Sequence, residues 1–95
     1  MTTWNRYLMY DYLKTTGMKL LTIRTDKKKY HMEFVLDQTC QKYCEVITDW
    51  GYVRGVETIA LCRDEVVLIS NNSMKVNIKY KHMDKFEVHC FEEGV

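Results

Sequence analysis

The chain has 95 residues, no proline and only four glycines, so its turns must rely on those glycines and on Asn, Asp and Ser. It also lacks any apolar run near the ~20 residues of a membrane-spanning helix, which excludes an integral helical membrane protein. The chain also lacks a large excess of positive or negative charge, since 14 Lys and Arg against 13 Asp and Glu leave a formal net charge of +1. Contact with nucleic acid or anionic lipid would therefore have to come from a local patch.

Chain length and the N-terminal residues narrow the class of protein further. Ninety-five residues predict one domain, spanning residues 1–95, with one modest core and no deep active-site cleft. The first six residues, Met-Thr-Thr-Trp-Asn-Arg, lack the basic-then-apolar order of a signal peptide. We therefore predict a cytoplasmic protein, in the host cytoplasm if it is viral, whose four cysteines are thiols.

The last third of the chain carries the clearest structural signal. An apolar run at residues 66–69 precedes a polar turn at 70–73 and then strict alternation, which is typical of a half-buried strand. The side chains predicted to face the core are those of Met74, Val76, Ile78, Tyr80 and His82. The side chains predicted to face solvent are those of Lys75, Asn77, Lys79 and Lys81.

A helix is predicted at the start of the chain, capped by Thr2 or Thr3, running to about Thr15 and stopped at Gly17. Its apolar residues fall on one stripe, which consists of Trp4, Tyr7, Leu8, Tyr12 and Leu13. Further strands are predicted at residues 18–24, 30–36, 52–61, 66–69, 74–80 and 85–91, joined into an antiparallel meander.

The middle of the chain predicts a second, short helix at residues 37–50. Apolar residues there lie three to four apart, among them Cys40, Cys44 and Ile47, and Gly51 follows as a stop. The predicted fold class is α+β: a small antiparallel, strongly bent sheet or barrel of five to six strands, with an N-terminal helix and a short middle helix.

Patterns that would indicate catalysis or metal binding are missing. Cys40 and Cys44 are spaced by one helical turn instead of forming a C-x-x-C knuckle with a matching second pair. A thiol and imidazole pair, such as Cys62 with His82 or His89, has nothing in its flanks to activate the thiol. The chain has no glycine-rich phosphate loop and no nucleophile elbow. We predict no enzyme, no catalytic residue, no metal and no cofactor.

Seven tyrosines in so short a chain favour a protein interface, because Tyr offers a large contact area at little entropic cost. The alternative is that they cover half-buried strand positions. The candidates for a protein interface are Tyr10, Trp50 and Tyr52.

Local basic patches give the candidates for contact with nucleic acid. Lys27, Lys28 and Lys29 fall in one turn, and Lys75, Lys79 and Lys81 fall on one strand face, followed by His82. Aromatic rings on which bases could stack are those of Tyr30, Tyr52 and Tyr80. The alternative is that the strand lysines are solvated and protect a sheet edge against aggregation.

Residues 65–88 resemble the second Sm motif of Hfq and the Sm-like RNA-binding proteins. The resemblance rests on the apolar strand at 66–69, the strand 74–80 and the step Tyr80-Lys81-His82. It implies an N-terminal helix before a bent five-stranded barrel, assembly into rings and binding of single-stranded RNA through Lys81 and His82. Glu65 stands where Hfq has an aromatic residue that stacks on bases.

Two binding hypotheses follow from these features, and a small enzyme or metal protein is a third, least favoured one. The favoured one is a non-catalytic binding protein that docks stoichiometrically onto a protein partner, like compact inhibitors and adaptors of phages and mobile elements. The alternative is an Sm/Hfq-like barrel that binds single-stranded RNA with Lys75, Lys79, Lys81 and His82. Neither hypothesis involves a membrane, and self-association is open in both.

Overall fold

The computed structural model describes residues 3–25, 30–35 and 42–92. Within these ranges the chain forms one helix and a seven-stranded, strongly curled antiparallel sheet. The predicted α+β class, with an N-terminal helix and a strongly bent antiparallel sheet, is confirmed. The elements are α1 (Arg6–Lys14), β1 (Lys19–Thr25), β2 (Tyr30–Val35), β3 (Lys42–Thr48), β4 (Gly51–Leu61), β5 (Glu65–Ser70), β6 (Lys75–Lys79), a 3₁₀ turn (Tyr80–His82) and β7 (Phe86–Glu92).

Helix α1 begins two or three residues later than the sequence predicted, because its cap is Asn5 instead of Thr3 or Thr2. The Asn5 side chain accepts hydrogen bonds from the backbone N–H groups of Tyr7 and Leu8, both at 2.9 Å. Such a cap stabilises a helix by ~1 kcal/mol. The predicted stop at Gly17 is confirmed by its left-handed backbone, with φ of +88°.

The face of α1 that packs on the sheet is centred on Met9 and Leu13, which lie one turn apart and are fully buried. The predicted stripe was wrong at Tyr7 and Leu8, whose side chains are 63% and 40% exposed. The reason is the helical period, since one or two residues before Met9 the side chain points about 100° or 200° around the helix from the buried face. Trp4 precedes the helix and donates from its indole N–H to the carbonyl of Asp84 at 2.9 Å.

The long strand β4 organises the sheet. Along one edge its first part pairs with β3 and its second part with β2, while β5 pairs with residues 56–61 along the other edge. Strands β1 and β6 extend the sheet beyond β2 and β5, and β7 extends it beyond β3. The predicted simple meander was therefore wrong at two steps, because β2 pairs with β4 and β7 with β3.

Two bulges in β4 give the sheet its curl. Gly55 is the extra residue in the pairing with β3, and Glu57 is the extra residue in the pairing with β5. Gly55 has φ of +68°, and a Cβ added there would meet the Asn71 side chain at 3.2 Å. Bulges bend a strand and increase its twist, so the first part of β4 turns over the end of the β5–β6 hairpin.

The predicted middle helix is wrong where the chain can be compared, because residues 42–48 form β3. Cys44, Val46 and Thr48 are buried, and the residues between them are half-buried, which is the period of a strand. The β-branched run Val46, Ile47 and Thr48 favours this conformation over a helix. Residues 37–41 of the predicted helix lie outside the described residues.

The alternation predicted for β6 is confirmed within the strand and fails at its ends. Val76 is half-buried and Ile78 buried, whereas Lys75, Asn77 and Lys79 are exposed. Met74 before the strand and His82 after it are exposed instead of inward-facing, because the strand ends at Lys79 and the chain enters the 3₁₀ turn.

Within the described residues, no helix is long and apolar enough to cross a lipid bilayer.

Candidate binding groove

A groove of about 450 Å³ lies between the β3–β4 turn and the outer edge of β6. We call it the edge groove. Its volume falls in the range of ~300–1,000 Å³ that is common for ligand pockets. One wall consists of Thr48, Trp50, Gly51, Tyr52 and Val53, and the other of Val76, Asn77, Ile78, Lys79 and His82.

The β3–β4 turn is held by its own residues. Thr48 donates from its hydroxyl to the carbonyl of Gly51 at 3.2 Å and accepts from the backbone N–H of Trp50 at 3.1 Å. Gly51 has φ of +114°, a conformation that other residues rarely adopt. The two-residue connection Asp49-Trp50 therefore forms a tight turn that carries the Trp50 side chain at its tip.

The turn is also braced from outside, by the segment that joins β6 to β7. The Trp50 indole N–H donates to the carbonyl of His82 at 3.3 Å. The Asp49 carboxylate accepts from the backbone N–H groups of Asp84 at 2.7 Å and Lys85 at 3.0 Å. Hydrogen bonds from these two N–H groups hold the pKa of Asp49 below its ordinary value, and the bond from Lys85 has the larger effect. The turn is thus fixed relative to the end of β6.

The bracing leaves two large aromatic side chains open to solvent at the groove. Trp50 is 72% exposed and Tyr52 is 58% exposed. The Arg54 guanidinium lies 5.0 Å from the centre of the Tyr52 ring, and its Nε lies 3.9 Å from a carboxylate oxygen of Glu45. This stacking orders the Tyr52 ring without covering it, and leaves aromatic area available for a partner.

The β6 wall and the 3₁₀ turn supply positive charge. Lys75, Lys79 and Lys81 are exposed, and so is His82. Two carboxylates lie in the same region and keep their negative charge, namely that of Asp49, which braces the turn, and that of Glu65, which accepts from the Asn77 amide at 3.3 Å. The three lysines outnumber them, so the groove presents aromatic rings beside a basic rim.

The structure brings together only some of the predicted site residues. Trp50, Tyr52, Lys79 and His82 line the edge groove, with Lys75 and Lys81 on its basic rim. Tyr10 lies elsewhere, half-buried on α1, where its ring packs edge-on against Phe34 at 5.7 Å between centroids. The turn lysines Lys27, Lys28 and Lys29 lie outside the described residues.

Among the predicted stacking platforms, only Tyr52 presents an exposed ring in the described part of the chain. Tyr80 is buried, and its hydroxyl donates to the carbonyl of Cys62 at 2.9 Å. Burial raises the pKa of Tyr80 well above its ordinary value. Its role is to anchor the 3₁₀ turn that presents Lys81 and His82. The strand position of Tyr30 is described, but its side chain is not.

Several groove residues escaped prediction, namely Thr48, Val53 and Asn77, together with the brace residue Asp49. A partial signal was present, since the β-branched run Val46-Ile47-Thr48 favours a strand and Asp49 and Gly51 are residues common at turns. It was interpreted as the end of a helix because Cys44, Ile47 and Trp50 also fit a helical spacing. Side chains that stand opposite each other across the groove are far apart in sequence and leave no local pattern.

The functional groups that line the groove include the His82 imidazole, the Lys79 amine, and the hydroxyls of Thr48 and Tyr52. Over residues 3–25, 30–35 and 42–92, no three His, Cys, Asp or Glu side chains are placed to hold a metal ion. Cys44, Cys62 and Cys90 are thiols, and the first two are buried. His89 contacts Glu87 at 3.3 Å on the surface of β7.

Comparison with known proteins gives no relative for this chain. Neither the protein-family models, nor the curated proteins, nor the solved structures include a match to it.

Proposed function

We propose that the protein is a non-catalytic binding protein of the cytoplasm, which docks stoichiometrically onto a protein partner through the edge groove. In this function it resembles the compact inhibitors and adaptors of phages and mobile elements. One observation carries the proposal: the Trp50 and Tyr52 side chains are largely exposed, at and just after a tight turn that its own residues and the β6–β7 segment hold in place.

The energetics of interfaces support this assignment. Binding energy in protein complexes is concentrated in a few Trp, Tyr and Arg side chains, and Trp50, Tyr52 and Arg54 lie close together here. The bonds from Asp49 and Trp50 hold the turn in one conformation before binding. Less conformational entropy is then lost on association, which raises affinity.

Binding of single-stranded nucleic acid is the second candidate, and a specific observation favours it. Lys79 and His82 line the same groove as the exposed rings of Trp50 and Tyr52. Aromatic rings for bases beside cations for phosphates form the usual surface for single strands. This is also the function implied by the resemblance to Sm-like proteins, with Lys75 and Lys81 as further contacts.

Affinity capture from a lysate of the cells that encode the protein, with and without nuclease, tests the proposal when combined with two variants. We expect a captured protein that survives nuclease treatment. The double variant Trp50→Ala, Tyr52→Ala should weaken its binding at least ~100-fold, because two anchors of ~2 kcal/mol or more are lost. The triple variant Lys75→Gln, Lys79→Gln, Lys81→Gln should stay within ~10-fold, because exposed ion pairs contribute ~0–1 kcal/mol each.

Tyr7→Ala is the matched control, since Tyr7 is an exposed aromatic residue on α1 outside the groove. It should bind like the wild type. The nucleic-acid function would be favoured instead if nuclease released the captured material and the lysine variant abolished binding. In that case the log–log salt dependence should lose ~0.7 in slope for each phosphate contact removed.

A further inference from the structure

The outer edge of β6 carries backbone groups that no described strand pairs with. Strand β6 pairs with β5 alone, in the register Glu65↔Lys79 to Ile69↔Lys75. Beyond the two ends of this ladder, Tyr80 donates to Asp64 at 3.1 Å and Ser70 donates to Met74 at 2.9 Å. These bonds fix which pairs of the antiparallel ladder exchange hydrogen bonds.

By this alternation, Val76 and Ile78 direct their backbone groups toward β5. Lys75, Asn77 and Lys79 direct their N–H and C=O groups the other way, out of the sheet. Asn77 and Lys79 also line the edge groove. The groove therefore contains a row of donors and acceptors that no described strand pairs with, at the spacing of a strand, and such a row is a template for pairing with another strand.

The opposite side of the groove has a second edge that no described strand pairs with. The first part of β4 pairs with β3 on one side, and its pairing with β5 begins only at Val56. Both ends of this first part of β4 are held near β6. The backbone N–H of Asn71 donates to the carbonyl of Gly55 at 2.9 Å, and the Trp50 indole N–H donates to the carbonyl of His82 at 3.3 Å. Within the described residues, the curled sheet is thus left open between β4 and β6.

The side chains at this opening specify what an added strand would carry. On the outer face of β6, Lys79 already stands opposite Glu65 of β5, whereas Lys75 stands opposite the apolar Ile69. An acidic residue of the added strand beside Lys75 would therefore give it a favourable cross-strand neighbour, and a second beside Lys79 would add to that of Glu65. On the inner face the groove is lined by apolar groups, namely those of Trp50, Val53 and Val76. A complementary strand therefore alternates acidic and apolar residues.

We infer that the edge groove takes an extended segment of a partner protein, with alternating acidic and apolar side chains, as an added strand along β6. This inference rests on the proposed protein-docking function and names the chemistry of the partner. Main-chain hydrogen bonds to Lys75, Asn77 and Lys79 provide affinity, and the alternation of side chains provides selectivity. Trp50 covers the apolar side chains of the segment.

The test compares Asn77→Pro with Asn77→Ala. Both substitutions remove the Asn77 amide and its bond to Glu65, but only proline removes the outward N–H. Proline is tolerated on an edge strand when its nitrogen faces away from the ladder. The probe is a linear decapeptide selected for binding to the wild-type protein from a random displayed library, then synthesised. We expect acidic and apolar residues to alternate in it, Asn77→Ala to bind within ~3-fold of wild type and Asn77→Pro to bind at least ~10-fold more weakly.

Two further measurements keep the test decisive if Asn77→Pro folds poorly. The peptide is methylated at every second backbone nitrogen, in one version at the odd positions and in another at the even positions. Only one version should bind more weakly, because only alternate N–H groups of an added strand bond to β6, and the other should bind within ~3-fold of the unmethylated peptide. Amide hydrogen exchange of the wild-type protein should slow at residues 75, 77 and 79 when the peptide is added, and not at residues 7 and 8 of α1.

Equal binding to both Asn77 variants, with no slowing of exchange along β6, would overturn the added strand. The added strand would also be overturned if two copies of this chain paired with each other along the β6 edge and thereby excluded the peptide. Those results leave the docking function intact if the captured partner still depends on Trp50 and Tyr52. Capture that depends on RNA removes the docking function itself, so the two failures are distinguishable.

Discussion

At the scale of single residues, the edge groove depends on polar groups that hold aromatic ones in place. Asp49 is the clearest case, because its carboxylate accepts two backbone N–H groups from the β6–β7 segment while remaining at the surface. Tyr80 has the reverse arrangement, a buried ring whose hydroxyl reaches the carbonyl of Cys62. Both residues fix backbone segments that then present other side chains to a partner.

The lowered pKa of Asp49 predicts a pH-dependent contribution to stability. Because its pKa is lower in the folded chain than the ordinary value of 3.8, the contribution is present above pH ~4 and is lost as the pH falls through the folded pKa. We expect Asp49→Asn to lower Tm at pH 7, and the difference from wild type to shrink toward pH 2. Thermal unfolding followed by circular dichroism across this range measures it.

Asp11→Asn is the control for that measurement, since it makes the same change in charge on the exposed side of α1. It should leave Tm at pH 7 nearly unchanged. A difference between Asp49→Asn and wild type that is as large at pH 2 as at pH 7 would show that the carboxylate charge is not what braces the turn.

At the scale of elements, α1 is joined to the sheet by a cluster of aromatic rings as well as by its buried aliphatic face. The Trp4 ring lies 5.7 Å from that of Tyr12 and 6.0 Å from that of Phe86, centroid to centroid, in edge-on geometry. The Tyr12 hydroxyl accepts from the backbone N–H of Val88 at 2.8 Å. The start of the chain is thus attached to β7, its last strand.

Trp4→Ala should therefore destabilise the fold. A fully buried Trp truncated to Ala costs ~3–5 kcal/mol, and we expect about 2–3 kcal/mol here because Trp4 is half-buried. Chemical denaturation followed by circular dichroism gives this free energy of unfolding. Tyr7→Ala, which truncates an exposed ring of the same helix, should change it by no more than ~0.5 kcal/mol. Equal effects of the two substitutions would contradict the docking of α1 through Trp4.

At the scale of the whole molecule, the curl of the sheet decides whether the groove exists. The bulge at Gly55 turns the first part of β4 toward β6, and its left-handed backbone lies directly against the Asn71 side chain. We infer that this bend brings the β3–β4 turn to His82, and that the groove depends on the curvature of the sheet.

Gly55→Ala tests that dependence. The left-handed backbone costs a residue with a Cβ ~1–2 kcal/mol, and the contact with Asn71 adds to it. Gly17→Ala is the matched control, because Gly17 is also left-handed but has open space around its Cβ position. We expect Gly55→Ala to be the more destabilising of the two in denaturant unfolding, and to weaken binding at the groove as well. If Gly55→Ala and Gly17→Ala unfold at the same denaturant concentration, the contact with the Asn71 side chain does not restrict which residue can stand at position 55.

The local pattern of the chain was enough to determine the α+β class, the N-terminal helix and most of the strands. Residues 74–80 show why, since alternating apolar and charged side chains are compatible with one buried strand face and little else. Trp50 and Tyr52 could be named as interface candidates from residue type, because Trp and Tyr are enriched in protein interfaces, but the same reasoning also named Tyr10, which is half-buried. Such inferences need only residue type and neighbours in sequence.

Tertiary structure alone decided that β3 is a strand, that β4 joins three other strands, and that Trp50 lies beside Lys79 and His82. Cys44, Ile47 and Trp50 fit a helical spacing, and only the pairing of residues 42–48 with β4 and β7 excludes it. The groove combines residues about 30 positions apart, such as Trp50 and His82. Their proximity follows from two bulges and one hairpin acting together, and such long-range geometry has no counterpart in the local periodicity of the chain.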